Sequence, residues 1–446
     1  MSSGEDPIEH CSLRMRHGRH RFEIVLVAIV ILGFAARIAY VLTIGKRLAL
    51  GLDAIWYDLQ AGTIASGKGY IDPDAFYRLG HQVPTANFLP LWPMVLALVN
   101  RAGLHTQTDY QLVGAVVGSI TVVLTGLLGR QVAGPRIGLA AALIVACSPL
   151  LIAADGSLMS DSLYVALVAA ALFASYRALK RPSLVWFGLV GLLVGLATLT
   201  RSDGLFLAPI LAGALAWRLH STRAGRRIVL GACVLVVVLV IQVPWVVRNS
   251  VRMGGIVVMS SNSSSMLEGA NCPSAYGGRL IGYWDPACTK ETRAPGLSEL
   301  QWSAASRDAG IRYARAHLGR LPMVVAAREL RVWGLWAPAG QARLESIESR
   351  DLTWQLVGWA YDMLLLVLAV AGTVILVRRR ARLAPLGAVV VAVVVTAAVS
   401  YANQRFRLAA EPAVALAAAT AVTALWRALG RRRAPGVQMV STSGSS

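Results

Sequence analysis

The chain has 446 residues, of which 56% are hydrophobic and only 15% are charged. This composition excludes an intrinsically disordered protein, because disordered chains are poor in apolar residues. It also argues against a soluble globular enzyme, in which about a quarter of the residues are charged. The class that remains is a membrane protein with several spanning helices and small water-exposed parts.

The 43 Lys and Arg residues outnumber the 23 Asp and Glu residues, which gives a net charge of +20. A nucleic-acid-binding protein would also be basic, but the sequence has no RNA-binding motif and no zinc-finger spacing. The arginines cluster beside apolar runs instead, as the positive-inside rule requires. We therefore expect the membrane, and no nucleic acid, to be the partner of this charge.

The first apolar run covers residues 22–44 and follows a basic segment, residues 1–21. The run is longer than a signal-peptide core and no small-residue cleavage site follows it, so we predict a retained anchor behind a cytoplasmic tail. Further apolar runs are long enough, or nearly so, to cross a bilayer. They cover residues 110–128, 137–151, 162–179, 185–199, 205–217, 228–247, 354–377, 385–400 and 408–425.

The basic clusters between these runs predict the topology. With about ten spans they all fall on one side, which the positive-inside rule makes the cytoplasm. This requires that the apolar stretch 88–99, which contains Pro90 and Pro93, lies in the interface or re-enters, since an eleventh span would place several clusters outside. We predict an all-α polytopic protein of the inner (plasma) membrane with both termini cytoplasmic. The clusters lie at 130–136, 177–181, 218–227, 378–382 and 431–433.

The predicted topology leaves two large external loops, and binding residues concentrate in loops held by a rigid scaffold. Cys272 and Cys288 share the second loop, where a disulfide would close about 17 residues and contribute roughly 3 kcal/mol. Two free thiols are the alternative. The predicted units are an N-terminal membrane module 22–247 with the external loop 45–109, the external loop 248–353 with short helices, C-terminal membrane helices 354–426 and a disordered cytoplasmic tail 427–446.

Two acidic positions are candidates for chemistry. Asp53 follows the first span, with Tyr57 one helical turn further on the same face. Asp161 stands at the start of the fourth span, on the same side of the membrane. Each could serve only as a helix N-cap, which Asp favours. The functional alternative is a base or a hydrogen-bond acceptor that faces a site at the membrane surface.

Four arginines fall at external breaks between spans, against the positive-inside bias: Arg201, Arg248, Arg405 and Arg407. One such arginine alone is equally well explained by snorkelling to the interface. Three separate breaks favour a shared anionic ligand, because the guanidinium fork binds two phosphate oxygens. Together with the acidic groups, these arginines indicate a site for a lipid-phosphate donor.

Several short segments are typical of one family. Their order along the chain and their common side of the membrane indicate this. The segments are 53–57 followed by 67–70, 84–93, 159–163, 195–201, 244–249 and 405–408. In these segments the chain resembles the GT-C membrane glycosyltransferases, especially the family of the protein O-mannosyltransferases and the lipid A aminoarabinose transferase. No segment is specific by itself.

The resemblance implies transfer of a sugar from a polyprenyl-phosphate-linked donor to an acceptor on the extracytoplasmic face. Asp53 matches the usual catalytic carboxylate, and Asp161 matches a second acidic position in some members. Relatives often hold the lipid phosphate near the prolines of the first loop. Asn87 stands where some of them place a basic residue, so Arg78 and His81 are candidates to replace it.

The predicted mechanism is an inverting displacement in which Asp53, as general base, takes the proton of the acceptor hydroxyl. Its transition state is oxocarbenium-like. Arginines would stabilise the departing phosphate. The expected acceptor is a glycan, a lipid or a protein. The residues do not establish any cofactor, and they do not establish a divalent metal. Residues expected to contact the sugar or acceptor, unless the second loop is only a cap, are Tyr57, Asn87, Asn262, Glu268, Tyr276 and Trp284.

Three other functions share some of these features. A lipid-linked sugar flippase or transporter would show two matching halves with broken helices, and no such repeat is found. A lipid-linked polymer ligase would carry a catalytic arginine or histidine in a long external loop, where His317 is the only histidine. A non-enzymatic scaffold would not need acidic and basic external groups.

Overall fold

A computed structural model describes residues 7–289 and 296–432, and their side chains from residue 20 to residue 430. These residues are almost entirely helical. Within them there is no β-strand, and extended pairing is limited to one bridge between Ile71 and Pro84. The prediction of an all-α fold is confirmed.

The helices follow one another with short connections. The N-terminal half contains α1 (Pro7–Thr43), α2 (Leu52–Ala65), α3 (Pro73–Leu79), α4 (Leu91–Arg101), α5 (Gln107–Ala133), α6 (Pro135–Ala146), α7 (Pro149–Asp155), α8 (Asp161–Lys180), α9 (Leu184–Thr200) and α10 (Gly204–Arg218). The C-terminal half contains α11 (Ala224–Met253), α12 (Asn262–Ala270), α13 (Glu299–Ala316), α14 (Leu321–Val332), α15 (Pro338–Ser346), α16 (Leu352–Arg378), α17 (Ala384–Val399) and α18 (Glu411–Arg432). A 3₁₀-helix, Gln404–Ala410, precedes α18.

Among the described residues, six helical segments are long and apolar enough to cross a membrane; they lie in α1, α5, α8, α11, α16 and α18 and in the short turns beside α1 and α18. Helices α6 and α7 meet at a bend of 58° and together form one further candidate span. The shorter apolar helices α9, α10 and α17 occupy the remaining predicted runs. Helix α4, with 11 residues, is not among the candidates, as expected for a segment that does not cross.

Both predicted cytoplasmic tails are partly helical, which corrects the prediction that residues 427–446 are disordered throughout. Helix α1 begins at Pro7, and α18 continues to Arg432. The physical reason is that both stretches are rich in arginine, which has a high helix propensity, and that neither contains a proline after Pro7. The rest of the predicted tails, residues 1–6 and 433–446, lies outside the described residues.

Small residues allow the membrane helices to approach closely. Gly129 of α5 faces Gly138 of α6, where an added Cβ would come within 2.7 Å of the Gly138 Cα. At Gly372 in α16, an added Cβ would overlap the Ala417 carbonyl of α18. Between lipid-embedded helices, association depends on such van der Waals packing, because lipid is as apolar as the side chains it replaces.

The ionisable residues inside the bundle are paired. Arg37 of α1 donates from Nε to Asp155 of α7 at 2.7 Å, and both side chains are buried. Arg407 pairs with Asp362 of α16 and, at 3.2 Å, with Glu411 of α18. An unpaired charge is costly at this depth, so these pairs join helices rather than face a ligand. Arg407 is therefore placed in the helical core and not at a phosphate site.

The segments between α1 and α5 and between α11 and α16 gather at one end of the bundle, which we call the loop end. A disulfide between Cys272 and Cys288, with Cα atoms 6.4 Å apart, closes part of the second segment, as the sequence predicts. Arg328 of α14 is buried and donates 2.8 Å hydrogen bonds to the carbonyls of Ala270 and Ala398. These contacts fix the second segment to the end of α17.

Candidate active site

A cavity of about 360 Å³ opens at the loop end. Its walls include Asp53 of α2, Arg201 from the turn between α9 and α10, and Arg405 from the 3₁₀-helix before α18. The sequence predicts that these three residues converge, although they are far apart along the chain. The structure brings them together around one concave surface.

Local geometry explains how α2 delivers its carboxylate. The Gly51 amide donates to the Ser349 hydroxyl at 2.6 Å, and a Cβ on Gly51 would approach the Ile347 carbonyl oxygen to 2.6 Å. Only glycine therefore lets the start of α2 lie against this segment. Asp53 is the second residue of α2 and Gly51 is its N-cap, so the capping alternative for Asp53 does not apply.

Asp161 is the electrostatic centre of the site. Its side chain is only 1% exposed, and its carboxylate accepts from Arg201 Nη1 at 2.6 Å, Arg350 Nη2 at 2.9 Å and Arg405 Nε at 2.9 Å. Three guanidinium groups on one carboxylate leave it little capacity to accept a further proton. The geometry gives Asp161 the role of orienting the arginines, and Ser160 rather than Asp161 is the N-cap of α8.

Asp53 has the opposite environment. Its side chain is 35% exposed towards the cavity, and its ion-pair contact, with Arg405 Nη1, is loose at 3.8 Å. Loss of hydration in the cavity raises the pKa of Asp53 to about 6; Glu348 adds to this rise, whereas Arg405 opposes it. A carboxylate that is accessible and has a pKa close to neutrality is suited to general-base chemistry.

Glu348 is a member of the site that the sequence analysis does not identify. Its Oε1 lies 3.0 Å from Arg405 Nη1 and accepts from Asn403 Nδ2 at 3.2 Å. Arg405 thus bridges Asp161 on one side and Glu348 and Asp53 on the other. Glu348 lies among several charged residues of a long loop, where no periodicity or motif distinguishes it.

The remaining walls combine one polar and one apolar side. Tyr57 lines the cavity one turn after Asp53, and its hydroxyl donates to Ser160 Oγ at 3.4 Å. Burial raises the pKa of Tyr57 to about 12, so it remains a neutral hydrogen-bonding group. Asn262 is a further polar residue of the cavity wall. The apolar side is formed by Phe88, Leu205, Phe206, Met266, Leu267 and Phe406.

Two predicted phosphate-binding positions lie on the outer surface. Arg78 is 76% exposed and pairs with Asp74 on its own helix, and His81 is exposed beside it. Arg248 lies near the cavity but is occupied, since it donates to the carbonyls of Tyr70 and Thr85. Neither Arg78, His81 nor Arg248 lines the cavity, and these arginines serve local structure.

Four predicted sugar or acceptor contacts also lie outside the cavity walls. Asn87 precedes the cavity-lining Phe88, and Glu268 is buried at the end of α12. The Tyr276 hydroxyl donates to Asn271, and the Trp284 indole donates to the Ser265 carbonyl at 3.4 Å. The hydrogen bonds of Tyr276 and Trp284 stabilise the disulfide-closed segment, so the interpretation of the second loop as a cap applies to these two residues.

The part of the chain that the structure describes contains no group of three or more His, Cys, Asp or Glu side chains arranged to hold a metal ion. The carboxylates around the cavity are paired with arginines instead. Asp203 illustrates this, because it accepts from Arg201 Nε at 2.9 Å.

Comparison with known proteins gives matches in sequence and in fold. Residues 84–247 match the family model described as dolichyl-phosphate-mannose-protein mannosyltransferase. The oligosaccharyltransferase AglB from Archaeoglobus fulgidus, solved in complex with an inhibitory peptide and a dolichol-phosphate, superposes with a TM-score of 0.56 at 14% identity. The chain has the GT-C fold. The superposition covers 93% of this chain and 52% of AglB, so the chain spans about half the length of that protein.

A solved structure of the Archaeoglobus fulgidus oligosaccharyltransferase tethered to an acceptor peptide gives the same TM-score of 0.56 at 15% identity. The superposition covers 94% of this chain and 51% of that one. ArnT from Cupriavidus metallidurans, bound to undecaprenyl phosphate, aligns over 90% of this chain and 77% of its own at 15% identity, with a TM-score of 0.43. No curated protein sequence matches the chain. The resemblance to the GT-C superfamily predicted from sequence is confirmed.

Proposed function

We propose that the protein is a glycosyltransferase that moves a sugar from a polyprenyl-phosphate-linked donor to an acceptor at the loop end, which we place on the extracytoplasmic face. One observation carries the proposal: a single cavity is lined by the accessible carboxyl group of Asp53 and by the guanidinium groups of Arg201 and Arg405. The mannosyltransferase family model and the dolichol-phosphate bound to AglB support the class of donor.

The donor phosphate fits against Arg201 and Arg405. Asp161 accepts from Arg201 Nη1 and from Arg405 Nε, and within the described residues neither arginine makes a hydrogen bond through Nη2. These free N–H groups face an anion with little reorganisation, because the carboxylate has already fixed them. Such preorganised donors stabilise charge that develops on a leaving phosphate. The apolar side of the cavity offers a path for the first isoprene units.

Asp53 acts as the base in this mechanism. The acceptor hydroxyl attacks the anomeric carbon, and a new C–O bond forms while the bond between that carbon and the phosphate oxygen breaks. The electron pair leaves with the phosphate, and the hydroxyl proton passes to Asp53. A positioned general base contributes about 100- to 10,000-fold to such a step. A single displacement inverts the configuration at the anomeric carbon.

We place the acceptor against Asn262 and Ser263, two polar side chains of the cavity wall. Tyr57 lines the same cavity one helical turn after Asp53 and presents a neutral hydroxyl to sugar oxygens. In the proposed complex the nucleophile lies beside the carboxylate and the lipid phosphate lies beside the arginines. The three acceptor classes, glycan, lipid and protein, share the hydroxyl that the mechanism needs.

The proposal is tested with purified protein in vesicles that contain a short-chain polyprenyl-phosphate mannose as donor. The expected result is release of polyprenyl phosphate that depends on added acceptor, with a product whose anomeric configuration, measured by NMR, is opposite to that of the donor. Movement of the intact donor across the bilayer without release of the phosphate would instead identify a flippase. Retention of configuration would remove the single-displacement mechanism.

A further inference from the structure

A second cavity, of about 600 Å³, lies at the other end of the bundle. It is formed where α5, α8 and α16 end and where residues 379–382 connect α16 to α17. Helix α8 extends from Asp161 at the first cavity to Lys180 at the second, a distance of roughly 30 Å along its axis. The two cavities therefore lie at opposite membrane surfaces.

Four cationic side chains converge on this second cavity: Lys180, Arg379, Arg380 and Arg382. No Asp or Glu is among the residues that line it, and within residues 20–289 and 296–430 none of the four cations forms an ion pair. Arg382 donates from Nη1 to the Leu179 carbonyl at 3.1 Å, which directs its guanidinium group along the wall. The concave surface is thus strongly positive and has no internal counter-charge.

A shielded amide in the wall also lacks partners. Both Gln131 Nε2 and Gln131 Oε1 are inaccessible to solvent and make no hydrogen bond, although Gln131 lines the cavity. A buried polar group without a partner is destabilising. A bound group with both oxygen acceptors and hydroxyl donors would satisfy this amide.

The positive-inside rule alone does not account for the convergence. Arg136 and Arg223 are exposed at this same end and satisfy that rule without lining the cavity. The cavity walls also include the apolar side chains of Val132, Leu179 and Leu376. A cationic concavity with an apolar wall at the end of spanning helices matches a lipid headgroup with its first acyl carbons.

We propose that this second cavity binds the phosphate of an anionic glycerophospholipid from the leaflet at this end of the bundle. The guanidinium groups of Arg379 and Arg380 hold the phosphate oxygens, and Gln131 hydrogen-bonds the polar headgroup. The site is independent of the proposed transfer reaction. Basic pockets between membrane helices bind anionic headgroups in this way.

The test measures lipid retention by native mass spectrometry of the full chain from vesicles of equal phosphatidylglycerol and phosphatidylcholine content. Wild-type protein is expected to retain phosphatidylglycerol selectively. The double variant Arg379→Gln/Arg380→Gln should lose affinity by about 30-fold, because each cation near an anionic surface contributes roughly a factor of five. The charge-matched control Arg136→Gln/Arg223→Gln should retain the lipid as wild type does.

Two results would overturn the proposal. Equal loss in both double variants would show that diffuse charge, not the cavity, attracts the lipid. Displacement of the lipid by millimolar inorganic phosphate as readily as by phosphatidylglycerol would assign the site to a soluble phosphate. Thermal unfolding of each variant in phosphatidylcholine alone verifies folding, and Lys180→Gln, which removes one exposed cation of the cavity, provides a milder variant with an expected fivefold loss.

Discussion

The two cavities use arginine in different ways. At the loop end, Asp161 fixes Arg201, Arg350 and Arg405, so these guanidinium groups are oriented before any ligand arrives. At the opposite end, Arg379 and Arg380 line a cavity whose walls contain no carboxylate. Paired arginines present a fixed geometry, which suits stabilisation of a transition state. Unpaired arginines keep their full charge for a ligand, which suits binding.

A similar contrast exists within the loop-end cavity, between its two aspartates. Asp161 is buried and saturated by arginines, whereas Asp53 is accessible and has one loose contact at 3.8 Å. The first therefore contributes to the architecture of the site, and the second is available to exchange a proton. Replacing each by asparagine separates these two roles.

The largest effect is expected from Asp53→Asn, which should reduce sugar transfer by about 100- to 10,000-fold, the usual contribution of a general base. Initial rates of polyprenyl phosphate release measure the effect. Asp58→Asn, on the same helix but outside the cavity, is the matched control and should remain active. Near-normal turnover of the Asp53 variant would exclude this residue as the base.

Folding of the Asp53→Asn variant should be unimpaired. The pKa of Asp53 rises from 3.8 to about 6 on folding, so the folded protein binds this proton more tightly than the unfolded chain does. Ionisation of Asp53 therefore lowers the free energy of unfolding as the pH increases through that interval. At pH 7 the asparagine variant avoids this loss, and its Tm should equal or exceed that of wild type.

The main effect of Asp161→Asn should be a loss of folding stability. Removing its charge takes away the carboxylate that three guanidinium groups share, and breaking a buried ion pair from one side costs about 3–5 kcal/mol. The measurement is denaturant or thermal unfolding in detergent. Asp203→Asn, which removes a carboxylate that pairs with Arg201 alone, should cost clearly less. An Asp161 variant as stable as wild type would contradict its assignment as the centre of the network.

A smaller effect is expected from Arg405→Lys, which keeps the charge but loses the fork that bridges Asp161 and Glu348. A lysine holds one of these partners and presents a point charge to the phosphate. We expect kcat/KM to fall by about 10- to 100-fold, the equivalent of one charged hydrogen bond. Arg78→Lys, at the exposed position also predicted to bind phosphate, should have no effect. A larger loss at Arg78 would move the phosphate site to the first loop.

The sequence alone predicts the helical scaffold and the site residues that depart from the positive-inside rule. Apolar run lengths and arginine clusters predict the helices, and Asp53, Arg201 and Arg405 are visible because charged residues at external breaks are unusual. Glu348 and the division of labour between Asp53 and Asp161 could not be predicted. They depend on where a long loop folds back, and that is decided by contacts such as the Gly51 amide with the Ser349 hydroxyl, which leave no periodic signal.

The smallest expected effect is a shift in the pH dependence of the transfer rate, caused by Glu348→Gln. Asp53 accepts a proton only when ionised, so the transfer rate should fall as the pH decreases through about 6, the pKa that dehydration in the cavity gives this group. The negative charge of Glu348 helps to raise that pKa. Glu348→Gln removes this charge and also frees Arg405 to approach Asp53, so both changes lower the pKa and move the acidic limb to lower pH.

The measurement is the ratio of transfer rates at pH 5.5 and pH 7.5 for wild type, Glu348→Gln and Asp58→Asn. The ratio should rise in the Glu348 variant and stay unchanged in the Asp58 variant. A limb that stays in place or moves to higher pH would mean that the negative charge of Glu348 does not raise the pKa of the titrating group. In that case the limb does not belong to Asp53, and the distinction between the two aspartates loses its kinetic support.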